Sequence, residues 1–149
     1  MTRAGGCGCG AVRFRVDGPV RDVIVCHCGA CREAAGGPWA ACAARRGDLS
    51  IDDGGALVWE EAALSAHGAS RGRCRSCGAY LFWDAPGRET VSFAVALLDD
   101  GGCGLEVAAH VWVAESAREE LLATGVPVVR EGLPGSVGVR WHDDNPAAR

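Results

Sequence analysis

Cys7-Gly8-Cys9-Gly10-Ala11-Val12-Arg13-Phe14-Arg15-Val16 carries two signals at once. Val12, Phe14 and Val16 alternate with Arg13 and Arg15, which puts apolar side chains on one face of an extended strand and charges on the other. Cysteines two apart in an extended segment point to the same side, so Cys7 and Cys9 can face one metal ion. In Cys74-Arg75-Ser76-Cys77-Gly78 a tight turn does the same, and its glycine permits the backbone conformation such a turn needs. Zinc in a structural site takes four thiolate or imidazole ligands in a closed tetrahedron, and these two halves supply four: Cys7, Cys9, Cys74 and Cys77. The pairing staples the first strand to the middle of the chain, which makes the metal part of the folding free energy.

Between the two halves lies Val25-Cys26-His27-Cys28-Gly29-Ala30-Cys31-Arg32. Cys26, Cys28 and Cys31 leave a zinc one ligand short, the arrangement of a catalytic site that keeps a position for water or substrate. His27 does not fill the gap, because in an extended segment its side chain points away from both neighbouring cysteines. The alternative is a second structural site whose tetrahedron is closed by a distant residue such as His67, His110 or Cys42. Cys42, set among small and apolar residues, reads as a small buried hydrophobe, and Cys103, flanked by glycines, as an incidental loop thiol. Arg32 adjoins Cys31 and is the candidate for holding a substrate carboxylate, since a planar guanidinium can make two hydrogen bonds to one carboxylate. Its competing role is to offset thiolate charge.

The rest of the chain is β in pattern. Alternating runs are read as strands over 20–25, 39–44, 57–59, 79–83, 90–97 and 105–113, separated by turns such as Asp52-Asp53-Gly54-Gly55 and Asp99-Asp100-Gly101-Gly102. One short C-terminal helix is expected from Ser116, with Glu119 completing a capping box, to about Gly125. The formal net charge of -4 and the lack of a basic stripe with interleaved aromatics argue against nucleic acid. All 15 basic residues are arginine, scattered singly or in pairs, which reads as a compositional bias. No apolar run reaches the ~18 residues of a membrane span, and the first residues lack the apolar core of a signal peptide, so a cytoplasmic protein is expected. Nine cysteines in that compartment mean metal or catalysis rather than disulfides.

Four segments occur in order: Cys7-Gly8-Cys9-Gly10-Ala11-Val12-Arg13-Phe14, Cys26-His27-Cys28-x-x-Cys31-Arg32, Arg71-Gly72-x-Cys74-x-x-Cys77-Gly78 and His110-Val111-Trp112-Val113. Together they resemble the glutathione-dependent formaldehyde-activating enzymes, also called S-(hydroxymethyl)glutathione synthases, whose domain is shared with centromere protein V. The resemblance covers about residues 5–115. It implies a mainly β, β-tent zinc fold (Mss-four-like) of short antiparallel sheets; length and composition fit one domain over 1–149, with a helix and tail from 116 that lie outside the resemblance. It also implies two zinc ions, a structural one on Cys7, Cys9, Cys74 and Cys77 and a catalytic one on Cys26, Cys28 and Cys31. The activity implied is that of a carbon-sulfur lyase or synthase, joining glutathione or another low-molecular-weight thiol to formaldehyde or a related small aldehyde. Its partners are then small molecules, with no nucleic acid and no membrane. The alternative is a non-catalytic zinc module that binds a thiol cofactor or a protein partner. Two positions depart from the family pattern: Arg73 stands where an aromatic residue is usual, and Glu33 where a lysine is common.

Overall fold

The computed structural model describes residues 2–62, 68–115, 125–129, 131–132 and 138–142. Two sheets face each other. The smaller has β1 (Thr2–Gly6), β2 (Arg13–Asp17) and β5 (Leu49–Asp52), with β2 in the middle and both pairings antiparallel. The larger is built from β3 (Val20–Cys26), β4 (Trp39–Arg45), β6 (Leu57–Glu61), β7 (Ser70–Cys74), β8 (Tyr80–Asp84), β9 (Thr90–Ala94), β10 (Val107–Val111) and β11 (Trp141–His142). Its order is β10-β3-β4-β9-β8-β7-β6, with β11 also on β3. All its pairings are antiparallel except β10 on β3, which is parallel. Among the described residues, no helix is long and apolar enough to cross a membrane.

The alternation in β2 does what its sequence requires. Phe14 and Val16 are buried while Arg13, Arg15 and Asp17 are exposed. Phe14 meets Phe82 and Phe93 of the larger sheet at centroid distances of 5.3 Å each, and this aromatic contact closes the sandwich. Burying one phenylalanine contributes about 1.5–3 kcal/mol, and well-placed aromatic pairs roughly 0.5–1.5 kcal/mol more. Gly5 allows β1 to approach this core: a Cβ there would sit 2.4 Å from the Leu97 carbonyl oxygen and 2.6 Å from Phe14 Cζ.

The mainly β expectation matches, and each strand read from alternation is present with slightly different ends. The run 90–97 is strand only to Ala94, then turns through a 3-10 segment, Val95–Leu97. The run 105–113 is strand over Val107–Val111, because Trp112 adopts a left-handed φ of 57° and breaks the alternation. The expected helix from Ser116 lies outside the described residues. A helix the periodicity did not indicate, α1 (Gly29–Ala35), follows β3 and carries Cys31.

Candidate metal centre

The four cysteines at 7, 9, 74 and 77 come together where the sheets meet. Cys7 and Cys9 sit in a turn after β1, closed by the Gly10 amide on the Cys7 carbonyl at 3.0 Å, with Gly10 at φ 78°. Cys74 ends β7, and the Gly78 amide donates to its carbonyl at 2.8 Å, which folds Cys77 back beside it. The four Sγ atoms lie within 4.8 Å of one another. Cys7 to Cys9 is 3.4 Å and Cys9 to Cys74 is 3.7 Å. A tetrahedral zinc with sulfurs at ~2.3 Å requires sulfur–sulfur edges of about 3.8 Å, so the donor set fits the ion. Burial opposes ionisation of Cys7, but the Val12 amide and the neighbouring thiols Cys9, Cys74 and Cys77 pull its pKa down to about 6. One member of the cluster is thus poised as thiolate.

Cys26, Cys28 and Cys31 form a second group, again with all Sγ atoms within 4.8 Å. The last residue of β3 supplies Cys26. Cys28 is the N-cap of α1, and its sulfur accepts the Cys31 amide at 3.3 Å, so one short turn sets the positions of both sulfurs. Hydrogen bonds from Cys26 and Cys31 hold the Cys28 pKa down to about 2, against its burial. The Cys26 thiol is pushed up by the same contacts, first with Cys28 and then with Cys31. Among the described residues no His, Asp, Glu or further Cys joins the triplet.

His27 turns away from the sulfurs, as its place between two cysteines requires. Its Nε2 lies 2.9 Å from His110 Nδ1, and burial, then His110 and Arg32, lower its pKa. His110 is thereby engaged with His27 rather than with the triplet. Cys42 is fully buried in the main core, and burial pushes its pKa up to about 12. Cys103 is exposed, and His67 lies outside the described residues.

Arg32 sits on α1 close enough to influence His27. A second guanidinium, that of Arg71, reaches a triplet sulfur: its Nη2 is 3.9 Å from Cys31 Sγ. Arg71 comes from β7, just ahead of Cys74, and the motif Arg71-Gly72-x-Cys74 was the signal that could have singled it out. Arg73 binds the Gly78 carbonyl at 2.9 Å and the Ala34 carbonyl at 3.2 Å, linking the turn of Cys77 to the end of α1. Trp39 and Tyr80, stacked at a centroid distance of 4.3 Å, complete the apolar wall against which the triplet packs.

The family model described as glutathione-dependent formaldehyde-activating enzyme matches residues 2–115, a span that includes all seven clustered cysteines. Among curated proteins none matches the chain. A crystal structure of a Rhodobacter sphaeroides protein is similar at a TM-score of 0.54 and 26% identity, covering 84% of this chain and 98% of that one. On the extent of the family match, the chain belongs to the glutathione-dependent formaldehyde-activating family.

Proposed function

We propose that the chain is a zinc-dependent carbon-sulfur lyase or synthase that joins glutathione, or a similar small thiol, to formaldehyde or a related small aldehyde. The observation that carries this reading is the asymmetry of the two cysteine groups: four sulfurs in one, three in the other among the described residues. Cys7, Cys9, Cys74 and Cys77 would hold a closed structural zinc, and Cys26, Cys28 and Cys31 an open one. Bound at the triplet, zinc supplies a Lewis acid that keeps a substrate thiol deprotonated at neutral pH.

The chain's own residues contribute the remainder. Holding zinc would require thiolates at the triplet, and Arg71, with Nη2 3.9 Å from Cys31 Sγ, balances part of that negative charge. Tyr80 and Trp39 shield one side of the triplet from water, and exclusion of water strengthens each electrostatic contact there. A thiolate held beside a bound aldehyde gains further from proximity, because thiolate rather than thiol attacks the carbonyl carbon. Run in reverse, the same geometry cleaves the carbon-sulfur bond.

Elemental analysis of the pure protein and of Cys28→Ser, followed by calorimetric titration with glutathione, tests the assignment. About two zincs falling to about one, with glutathione binding the wild type alone, is the expected result. Two zincs indifferent to any thiol would instead mark a non-catalytic module, and one zinc or fewer in the wild type would remove the catalytic site.

A further inference from the structure

The wall beside the cysteine triplet holds three donors that meet no acceptor. Tyr80 Oη, Trp39 Nε1 and Arg71 Nε are buried and make no hydrogen bond of good geometry among the described residues. They arrive from three strands. Trp39 opens β4 directly across from Cys26, and side chains opposite one another on paired strands share a face. Arg71 is on β7, and Tyr80 opens β8. The guanidinium carbon of Arg71 lies 5.9 Å from the centre of the Tyr80 ring. Tyr80, Trp39 and Cys31 belong to one buried cluster, with Cys26 and Cys28 packed against it.

A buried donor without an acceptor carries its full desolvation penalty, and folded proteins keep few of them. Three around a single group of thiols indicate an acceptor that comes with a ligand. The set consists of donors and one fixed positive charge, so its complement is an oxygen that is negative or becomes so. Each donor atom is shielded from solvent, so an acceptor that reaches it must be small, as the oxygen of a one- or two-carbon aldehyde is.

We propose that Tyr80 and Arg71, backed by Trp39, form the seat for the aldehyde oxygen at the cysteine triplet. This rests on the triplet being the substrate site. As the substrate's thiolate sulfur adds to the carbonyl carbon, the carbon-sulfur bond forms and the carbonyl π pair moves onto oxygen. That oxygen takes hydrogen bonds from the Tyr80 hydroxyl and Arg71 Nε, then a proton from water to complete the hydroxymethyl group. The thiol's own proton has gone to solvent, so the step needs no oxidant or reductant. A tyrosine hydroxyl loses its proton only at about pH 10 in water, so at neutral pH it is available as a donor.

Tyr80→Phe is the test. Adduct formation above the uncatalysed background, followed by NMR, should slow by roughly tenfold to a hundredfold, the range for loss of one donor to a developing oxyanion. Zinc content and glutathione Kd without aldehyde should stay at wild-type values, and the melting temperature should stay close to wild type, since the lost hydroxyl has only a weak interaction with Arg71 and no hydrogen bond of good geometry among the described residues. Arg71→Lys, which keeps the charge but loses Nε, should slow the reaction while retaining zinc. Wild-type turnover in Tyr80→Phe overturns the proposal, as does a lower melting temperature with loss of zinc, which would make the hydroxyl structural. Weakened glutathione binding in the absence of aldehyde would assign the seat to a carboxylate and overturn it equally. A wild-type protein that neither binds glutathione nor accelerates the addition fails at the earlier step and refutes the functional reading itself.

Discussion

Replacing Cys74 by serine removes one corner of the four-sulfur cluster and with it the tie between distant parts of the chain. Cys9 and Cys74 are 65 positions apart. Closing a loop of that length restricts the unfolded chain by about 4 kcal/mol on the chain-entropy estimate. Cys74 is 1% exposed and lies in the main core beside Val12 and Leu81, so serine also buries a hydroxyl there, at about 1–3 kcal/mol if it finds no partner. The sum, about 5–7 kcal/mol, is comparable with the whole stability of an ordinary domain, roughly 5–15 kcal/mol. At roughly 2–4 °C per kcal/mol for a domain of this size, Cys74→Ser should melt at least about 10 °C below the wild type. Thermal melts followed by circular dichroism, run on the zinc-loaded protein, the chelated protein, Cys74→Ser and Cys103→Ser, give the comparison. Chelated wild type and Cys74→Ser should both melt well below the other two, because Cys103 is exposed on a turn. Cys28→Ser is the informative contrast. Its partners Cys26 and Cys31 belong to the same short stretch, so a metal there restrains little chain, and its loss should be less than half that of Cys74→Ser. A Cys74→Ser protein melting within about 2 °C of wild type, or equal losses for the two variants, would refute the division into a structural and an open site.

Arg73→Ala removes two hydrogen bonds to carbonyls, those of Gly78 and Ala34, and a cation 5.9 Å from the Tyr80 ring centre. Half-exposed, they are together worth about 1–2 kcal/mol, so melting should fall by a few degrees and zinc should pass to a chelator faster; unchanged release would show that the bridge does not hold α1 in place. Asp22 is buried, accepts the Glu106 amide at 2.9 Å and faces Arg140 and His142 of the last described segment. Burial opposes its ionisation, but the Glu106 amide, His142 and Arg140 outweigh it and lower the pKa below the usual carboxylate value. A lowered folded pKa means stability that is complete above the unfolded pKa, ~3.9, and lost as pH falls through the folded value. Asp22→Asn should therefore be less stable at pH 7 yet lose less on going to pH 3, read as urea midpoints, and identical acid sensitivity would exclude this carboxylate as an acid-labile anchor. Gly5→Ala places a methyl 2.4 Å from the Leu97 carbonyl oxygen, backbone against backbone, so about 1–3 kcal/mol should be lost; a wild-type melt would mean that β1 shifts freely.

The two cysteine groups were legible because sulfurs that face one ion must be set at short, regular separations, and Cys-x-Cys and Cys-x-x-Cys show those separations in the sequence itself. Strands such as β2 and β9 were legible for a similar reason, one buried face imposing a period of two. The helix α1 was not. It has seven residues, opens on glycine and is capped by a cysteine sulfur rather than by the usual Ser, Thr, Asp or Asn, so neither periodicity nor a cap announced it. Nor was β1, whose Ala4-Gly5-Gly6 has little preference for a strand and becomes one through pairing with β2.

At Arg73, where the family usually has an aromatic residue, the arginine lies close to the Tyr80 ring and adds two bonds to main-chain carbonyls, so it supplies a contact of another kind. The donors beside the triplet posed a different difficulty. Residues 39, 71 and 80 converge through the strand order β4-β9-β8-β7, and their separations in the chain bear no pattern. What distinguishes them is the lack of an acceptor, a property of the folded surroundings that no residue type encodes. Arg32 is a candidate that adjacency to Cys31 offers in the sequence; Arg71, 40 positions from Cys31, brings its guanidinium to that sulfur through the fold alone. Cysteines gathered by one turn can be found from spacing, whereas Trp39, Arg71 and Tyr80 come from across the sheet, and their convergence follows only from its strand order.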